Sequence, residues 1–303
     1  SESLSAYAEN NYDMFGVRQT LTSTYGVVYT PTPLWTLGGG VEYGDIKDRL
    51  GTGDIRRIAP SVTLGYKDVE RLSWRLKGEA RFEDSIDLAK DRTTYLAAAG
   101  VSVVVDDNWR FLAGIDAALS DSDQVSILNG DYVKGSVGYA LRPVNHDWVN
   151  ALFKFIFIYD LPGPDQITSF GGRLGPAQRS YIVSADANFK LNRYLTVGGK
   201  YGFRIGEVSY TRSAKDFVAS SAHLGVVRAD IHVVKNWDLM LEGRMLHTPE
   251  IDTSHIGVVT GVWRHLGENM KVGVGYNFGR FSDDLGDLTL NDRGVFLNVV
   301  GKF

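Results

Sequence analysis

Apolar and polar residues alternate one for one along most of the chain, the period of a β-strand with one greasy face. From position 270 to 278, Met270, Val272, Val274, Tyr276 and Phe278 oppose Lys271, Gly273, Gly275 and Asn277. The same alternation sets Trp109, Phe111, Ala113 and Ile115 against Arg110, Gly114 and Asp116, and Leu195, Val197, Tyr201 and Phe203 against Thr196, Lys200 and Arg204. It is sharpest where Leu72, Trp74, Leu76, Ala80 and Phe82 face away from Ser73, Arg75, Lys77, Glu79, Arg81 and Glu83. Almost nowhere do apolar residues recur at i, i+3, i+4 and i+7, so the pattern predicts an all-β chain.

Alternation alone fits a water-soluble sandwich as well as a sheet in lipid. Three features decide between them. The predicted strands run about 10 to 13 residues, beyond the usual globular length of about 5 to 6 and near the span a tilted strand needs to cross a bilayer. Their connections alternate between compact turns, such as those at Lys67–Arg71 and Asp106–Asn108, and longer polar loops, such as 84–91, 119–128 and 160–178. Short turns on one rim and long loops on the other characterise transmembrane barrels. Finally, an aromatic or apolar residue opens a strand after each short turn, at Trp35, Leu72, Trp109, Trp148, Tyr194, Trp237 and Met270. This repeat of roughly 33 to 46 residues is a hairpin unit. A propeller blade of similar length would need strands about half as long.

The spacing therefore predicts a single antiparallel up-and-down transmembrane β-barrel over residues 1–303, with about 16 strands, 14 being possible. The stretch Ser3–Asn10 is its weakest strand. Outward aromatics form two tiers: Trp35, Trp74, Trp109 and Trp237 near the short turns, and Tyr43, Phe82, Tyr95, Tyr159 and Tyr181 toward the loops. Such tiers suit the two interfaces of a membrane. Pro60 lies inside a strand pattern, where a bulge is the expected accommodation.

Composition changes this picture little. The 34 glycines suit tight turns, and the absence of cysteine rules out disulfides and thiolate metal sites. The net charge of -4 gives no basic footprint for nucleic acid. No apolar run is long enough for a spanning helix, since the best candidate carries Lys154 and ends at Pro162. The first residues, starting at Ser1, contain neither an initiator methionine nor an apolar signal core, which fits a mature form or a domain of something longer.

The C-terminal strand, from Arg293 to Phe303, sets Val295, Leu297, Val299, Gly301 and Phe303 on one face. An apolar alternation ending in phenylalanine resembles the assembly signal of Gram-negative outer-membrane β-barrels of the porin-like type. Val295, Leu297, Val299 and Phe303 match it, while Gly301 is smaller than usual. The segment from Asn269 to Phe303 also looks like the end of C-terminal barrel domains of long bacterial surface proteins. The resemblance implies an integral outer-membrane location with both termini periplasmic. Its implied partners are outer-membrane lipid, lipopolysaccharide and, during biogenesis, the barrel-assembly machinery. Pairing of this strand with the first would leave no free edge.

Sixteen strands enclose an aqueous lumen. By parity its wall carries Arg57, Arg75, Lys77, Arg81, Lys134, Lys154, Lys190, Lys200, Arg204, Arg228 and Arg244, against Glu42, Glu79, Glu83, Asp116, Asp186, Asp230 and Glu242. The cation excess predicts passive diffusion of small hydrophilic solutes with a mild anion preference. The longest loop could narrow the pore and bring Asp165, Arg173 or Arg179 near the solute, or else remain on the surface. The alternative function is a barrel anchor or export conduit at the C-terminal end of a larger envelope protein. Aspartates crowd the loops, but the segment Ser282–Asp292 lacks the ligand pattern of a calcium loop. The histidines are scattered, no hydrolase or phosphate-loop motif occurs, and Asp230 with His232 is a weak catalytic pair. No enzymatic activity, cofactor or metal is expected.

Overall fold

The computed structural model describes residues 3–13, 18–48, 54–68, 70–85, 91–122, 131–160, 177–209, 216–234, 236–267, 270–281, 283–286 and 293–301. They form sixteen strands: β1 (Leu4–Asp13), β2 (Arg18–Thr32), β3 (Trp35–Asp48), β4 (Ile55–Asp68), β5 (Leu72–Ser85), β6 (Arg92–Val104), β7 (Trp109–Ser122) and β8 (Tyr132–Leu141). The second half comprises β9 (Val149–Tyr159), β10 (Ala177–Asn192), β11 (Leu195–Ser209), β12 (Val218–Val234), β13 (Trp237–Thr248), β14 (Thr253–Leu266), β15 (Met270–Asn277) and β16 (Gly294–Gly301). Among the described residues the only helical turn is a 3-10 turn, Pro249–Ile251, in the β13–β14 connection. Among the described residues no helix is long and apolar enough to cross a membrane.

Each strand pairs antiparallel with the next, giving one sheet in the order β1 to β16. The weak first strand is real: Leu4 to Asp13 pairs with Tyr29 to Thr20. No described ladder joins β16 to β1. The sheet curls into a barrel, because Gln178 on β10 bonds Gly286, which follows β15, across the concave side. With an even strand number, the start of β1 and the end of β16 share the short-turn rim.

The face assignment follows the alternation. Val295, Leu297 and Val299 are 73%, 74% and 59% exposed, and Tyr43, Phe82, Tyr95, Tyr159 and Tyr181 are all exposed on the convex side. At the short-turn rim Trp35 packs edge-on to Tyr66 (5.2 Å) and Trp74 (5.6 Å), and Trp109 lies 4.9 Å from Tyr139. Arg264 sits 5.5 Å over Trp237, its charge directed to the same rim. These clusters give the amphipathic ring and cation layer that an interface favours.

Pro60 corrects an expectation. There is no bulge: Ile58 pairs with Phe82 and Ser61 with Glu79 in one unbroken register, the two pairs between them being absent from the β4–β5 ladder, while Pro60 still pairs with Val41 on the other side. A bulge would send every later side chain to the opposite face, which costs more than the lost ladder bond.

Glycine is required where β10 and β11 meet most closely. A Cβ on Gly206 would lie 2.1 Å from the Arg179 carbonyl oxygen and 2.7 Å from Ser180 Cα. Gly206→Val should therefore destabilise the barrel by about 1–3 kcal/mol, the usual cost of overpacking. A lowered midpoint in urea unfolding checks this; an unchanged midpoint refutes the close approach.

Candidate functional site: the charged lumen and the segment that enters it

Antiparallel register carries one face unbroken around the wall. Arg75 stands opposite Gly100, which pairs with Gly114, then Ser136, Ile156, Ile182 and Arg204. The same parity puts Arg57, Lys77, Glu79, Arg81, Lys134, Lys154, Lys200, Arg228, Asp230, Glu242 and Arg244 on the concave face.

Three carboxylates there are clamped between cations. Glu83 accepts from Arg57 at 2.6 Å and from Arg92, and Arg57 also reaches Glu42 at 3.4 Å. Glu79 lies 2.8 Å from Lys77 and 2.6 Å from Arg81. Glu242, almost wholly buried, bonds Arg228 and Arg244, each at 2.5 Å. Burying a carboxylate this way is tolerable only because two charge-assisted bonds replace its water. The clamps fix the wall's shape and neutralise much of its charge.

Outside the strands, Asp147 in the β8–β9 connection is bonded by Lys190 on β10. That hydrogen bond, aided by the ammonium charge, holds its carboxyl below the usual carboxylate range.

Over β1 to β9 the concave face is small at mid-height, with Gly38, Gly40, Gly65, Gly100, Gly114 and Gly138 along the wall. They border a cavity of about 810 Å³ whose lining includes Lys67, Arg75 and Lys154. Among the described residues no carboxylate lies within ion-pair distance of these three cations.

Over β9 to β13 the lumen is filled. After β15 the chain turns inward through Gly279, whose Cα approaches so near that a Cβ on Gly257 would sit 3.0 Å from it. Phe281 and Leu285 then pack on Ile156, Ile158, Ile182, Ala222, Leu224 and Val226, with Leu246 at the margin. Their backbone is held by the wall: Arg244 Nη1 donates to the Phe281 carbonyl (3.4 Å), Arg204 Nη1 to that of Leu285 (3.2 Å), Gln178 Nε2 to that of Gly286 (3.1 Å), and Lys200 to that of Asp283.

The 160–178 loop, which could narrow the pore or remain on the surface, falls largely outside the described residues. Asp165 and Arg173 lie outside the described residues, as does Phe303. Arg179 is on the convex face, its guanidinium 4.1 Å over Phe217 and 5.0 Å over Tyr159, and it donates to the Tyr159 hydroxyl at 3.3 Å. Among the described residues the inward segment, where the chain enters the lumen, is 279–281 and 283–286. Its signal was in the sequence: Phe281 and Leu285 are apolar residues in an acidic loop, and Phe153 to Tyr159 is apolar on both faces except at Lys154.

No protein-family model and no curated protein sequence matches the chain. Solved structures of similar fold do. The ferric citrate transporter FecA aligns with a TM-score of 0.58 at 11% identity, over 98% of this chain and 55% of that one. The ferric-catecholate import receptor Fiu of E. coli K12 gives 0.57 at 9%, over 90% and 58%. The copper transporter OprC gives 0.56 at 10%, over 93% and 56%. The chain thus spans a little over half the length of each. Fold and comparisons together define a β-barrel of sixteen antiparallel up-and-down strands, the fold of these outer-membrane proteins. The compared proteins are named as transporters and receptors, and at such identities the likeness extends to fold.

Proposed function

We propose that the protein is an outer-membrane channel through which small hydrophilic solutes diffuse, with a mild preference for anions. The observation that carries this is the 810 Å³ lumen cavity with Lys67, Arg75 and Lys154 on its wall. Unpaired cations along a wet passage lower the barrier for anions and raise it for cations. The short-turn rim and both termini face the periplasm in this reading, the convex face meets lipid and lipopolysaccharide, and Val295, Leu297, Val299 and Phe303 are read by the barrel-assembly machinery. The barrel is one domain.

In planar bilayers the purified chain should give stepwise conductance with a reversal potential displaced toward anion selectivity. Arg75→Glu with Lys154→Glu should move that potential to the cation side. A barrel that never conducts defeats the channel, and unchanged selectivity in the double variant removes these cations from the passage.

The filled half of the lumen favours a second reading, an anchor or export conduit for a larger envelope protein. A permanently seated inward segment would serve an anchor without loss. Silence in bilayers by both the native chain and a variant with the segment unseated would select it.

A further inference from the structure

One cluster on the concave face differs from the clamps described above. At the short-turn rim Asp238, near the start of β13, lies between His232 on β12 and His265 on β14. Its Oδ1 is 2.7 Å from His232 Nδ1 and its Oδ2 is 2.8 Å from His265 Nε2. Glu79, Glu83 and Glu242 are each held between two Lys or Arg side chains. Asp238 is flanked by two imidazoles, whose neutral form is a metal ligand, with Lys271 as its third neighbour.

The three ligand atoms come within 4.8 Å of one another. Each is mounted on a different strand, but the strands are adjacent and locked by ladder bonds: His232 pairs directly with Asp238, and His265 lies just past the Asp238–Trp263 pair. The backbone therefore holds the three side chains together whatever occupies the space between them. Side-chain exposures of 36%, 16% and 40% leave the cluster open to water at the mouth, so an ion can reach it and keep solvent in its remaining positions.

We propose that His232, Asp238 and His265 form a binding site for a borderline divalent cation such as Zn2+, at the short-turn mouth of the lumen. Two imidazoles with one carboxylate suit zinc, copper or nickel rather than calcium or magnesium, which take oxygen ligands. Asp230, on the same face two residues before His232, adds negative charge nearby. Lys271 opposes binding, because its Nζ lies 2.5 Å from Asp238 Oδ2 and must swing away for the ion to enter. It has somewhere to go, since it already extends toward the Trp263 ring at 5.7 Å.

The test is isothermal titration of ZnCl2 into the untagged full chain in detergent, with folding of every variant confirmed by heat-modifiable gel migration. One saturable site per chain is expected. His232→Ala and His265→Ala should each weaken it by more than about 10-fold, the lower end of what loss of even an outer partner costs. Lys271→Met should tighten it. His223→Ala with His247→Ala, a second histidine pair on the convex face with rings 6.3 Å apart, should leave it unchanged. With Cu2+ as probe, the electron paramagnetic resonance spectrum should show two imidazole nitrogens, reduced to one in His265→Ala. Absence of saturable binding, binding insensitive to His232 and His265, or binding lost with the His223 and His247 pair would each overturn the proposal.

Discussion

Replacing Phe281 and Leu285 together by serine should raise the single-channel conductance without unfolding the barrel. The two side chains are 2% and 6% exposed in their seat on the β9 to β12 wall. Burial of such a side chain contributes about 1.5–3 kcal/mol, so their loss removes about 3–6 kcal/mol of seating energy. At about 1.4 kcal/mol per factor of ten, the seated state loses roughly 10²- to 10⁴-fold in population. What remains is a set of bonds from Arg204, Arg244, Gln178 and Lys200 to backbone carbonyls, each worth about 1 kcal/mol net because water can replace it. The wall keeps its own ladders, so the urea midpoint should fall much less than for an equal loss in a soluble core. Bilayer recordings decide the matter. Larger steps and fewer partial closures support an inward segment that narrows the path, and unchanged steps would mean that ions do not pass beside it.

That segment also marks where the sequence stops being legible. Strand parity is local: a period of two places Phe82 against Glu83, or Val299 against Asn298, without knowledge of anything distant. The outer aromatics, the concave charges and the sixteen strands all follow from it. The seat of Phe281 and Leu285 is built from residues on β9, β10 and β12, as far back as Ile156, brought together only by the curl of the sheet. Its trace in the sequence was negative, a failure of alternation at Ile156, Ile158, Leu224 and Val226, where the concave face is apolar and so implies something apolar in the lumen. His232 and His265 are likewise ordinary in sequence; only the β12–β13–β14 register sets them on either side of Asp238. Pro60 shows the opposite error. A local rule predicted a bulge, and the demand that all later residues keep their faces overrode it.

Val227→Arg should cost about 2–4 kcal/mol of folding free energy in phospholipid vesicles, the penalty for arginine at mid-depth on a lipid-facing strand. Val227 lies near the middle of β12 and is 66% exposed, whereas its neighbour Val226 is buried against the inward segment. Its ladder partners are Gly199 and Gly243, so neither directly paired residue offers the guanidinium a hydrogen bond. The same substitution at Ile231, four residues nearer the short-turn rim and paired with Leu195 and Leu239, should cost less, toward the roughly 0–1 kcal/mol found near an interface. The difference between the two sites is the informative quantity, because depth along the strand would not matter to a convex face that met water. Urea titrations of both variants in vesicles and in detergent measure it. A gradient present in vesicles and flattened in detergent places the convex face in a bilayer with Val227 near its centre, while small and equal costs at the two positions in vesicles would show that this face does not meet lipid.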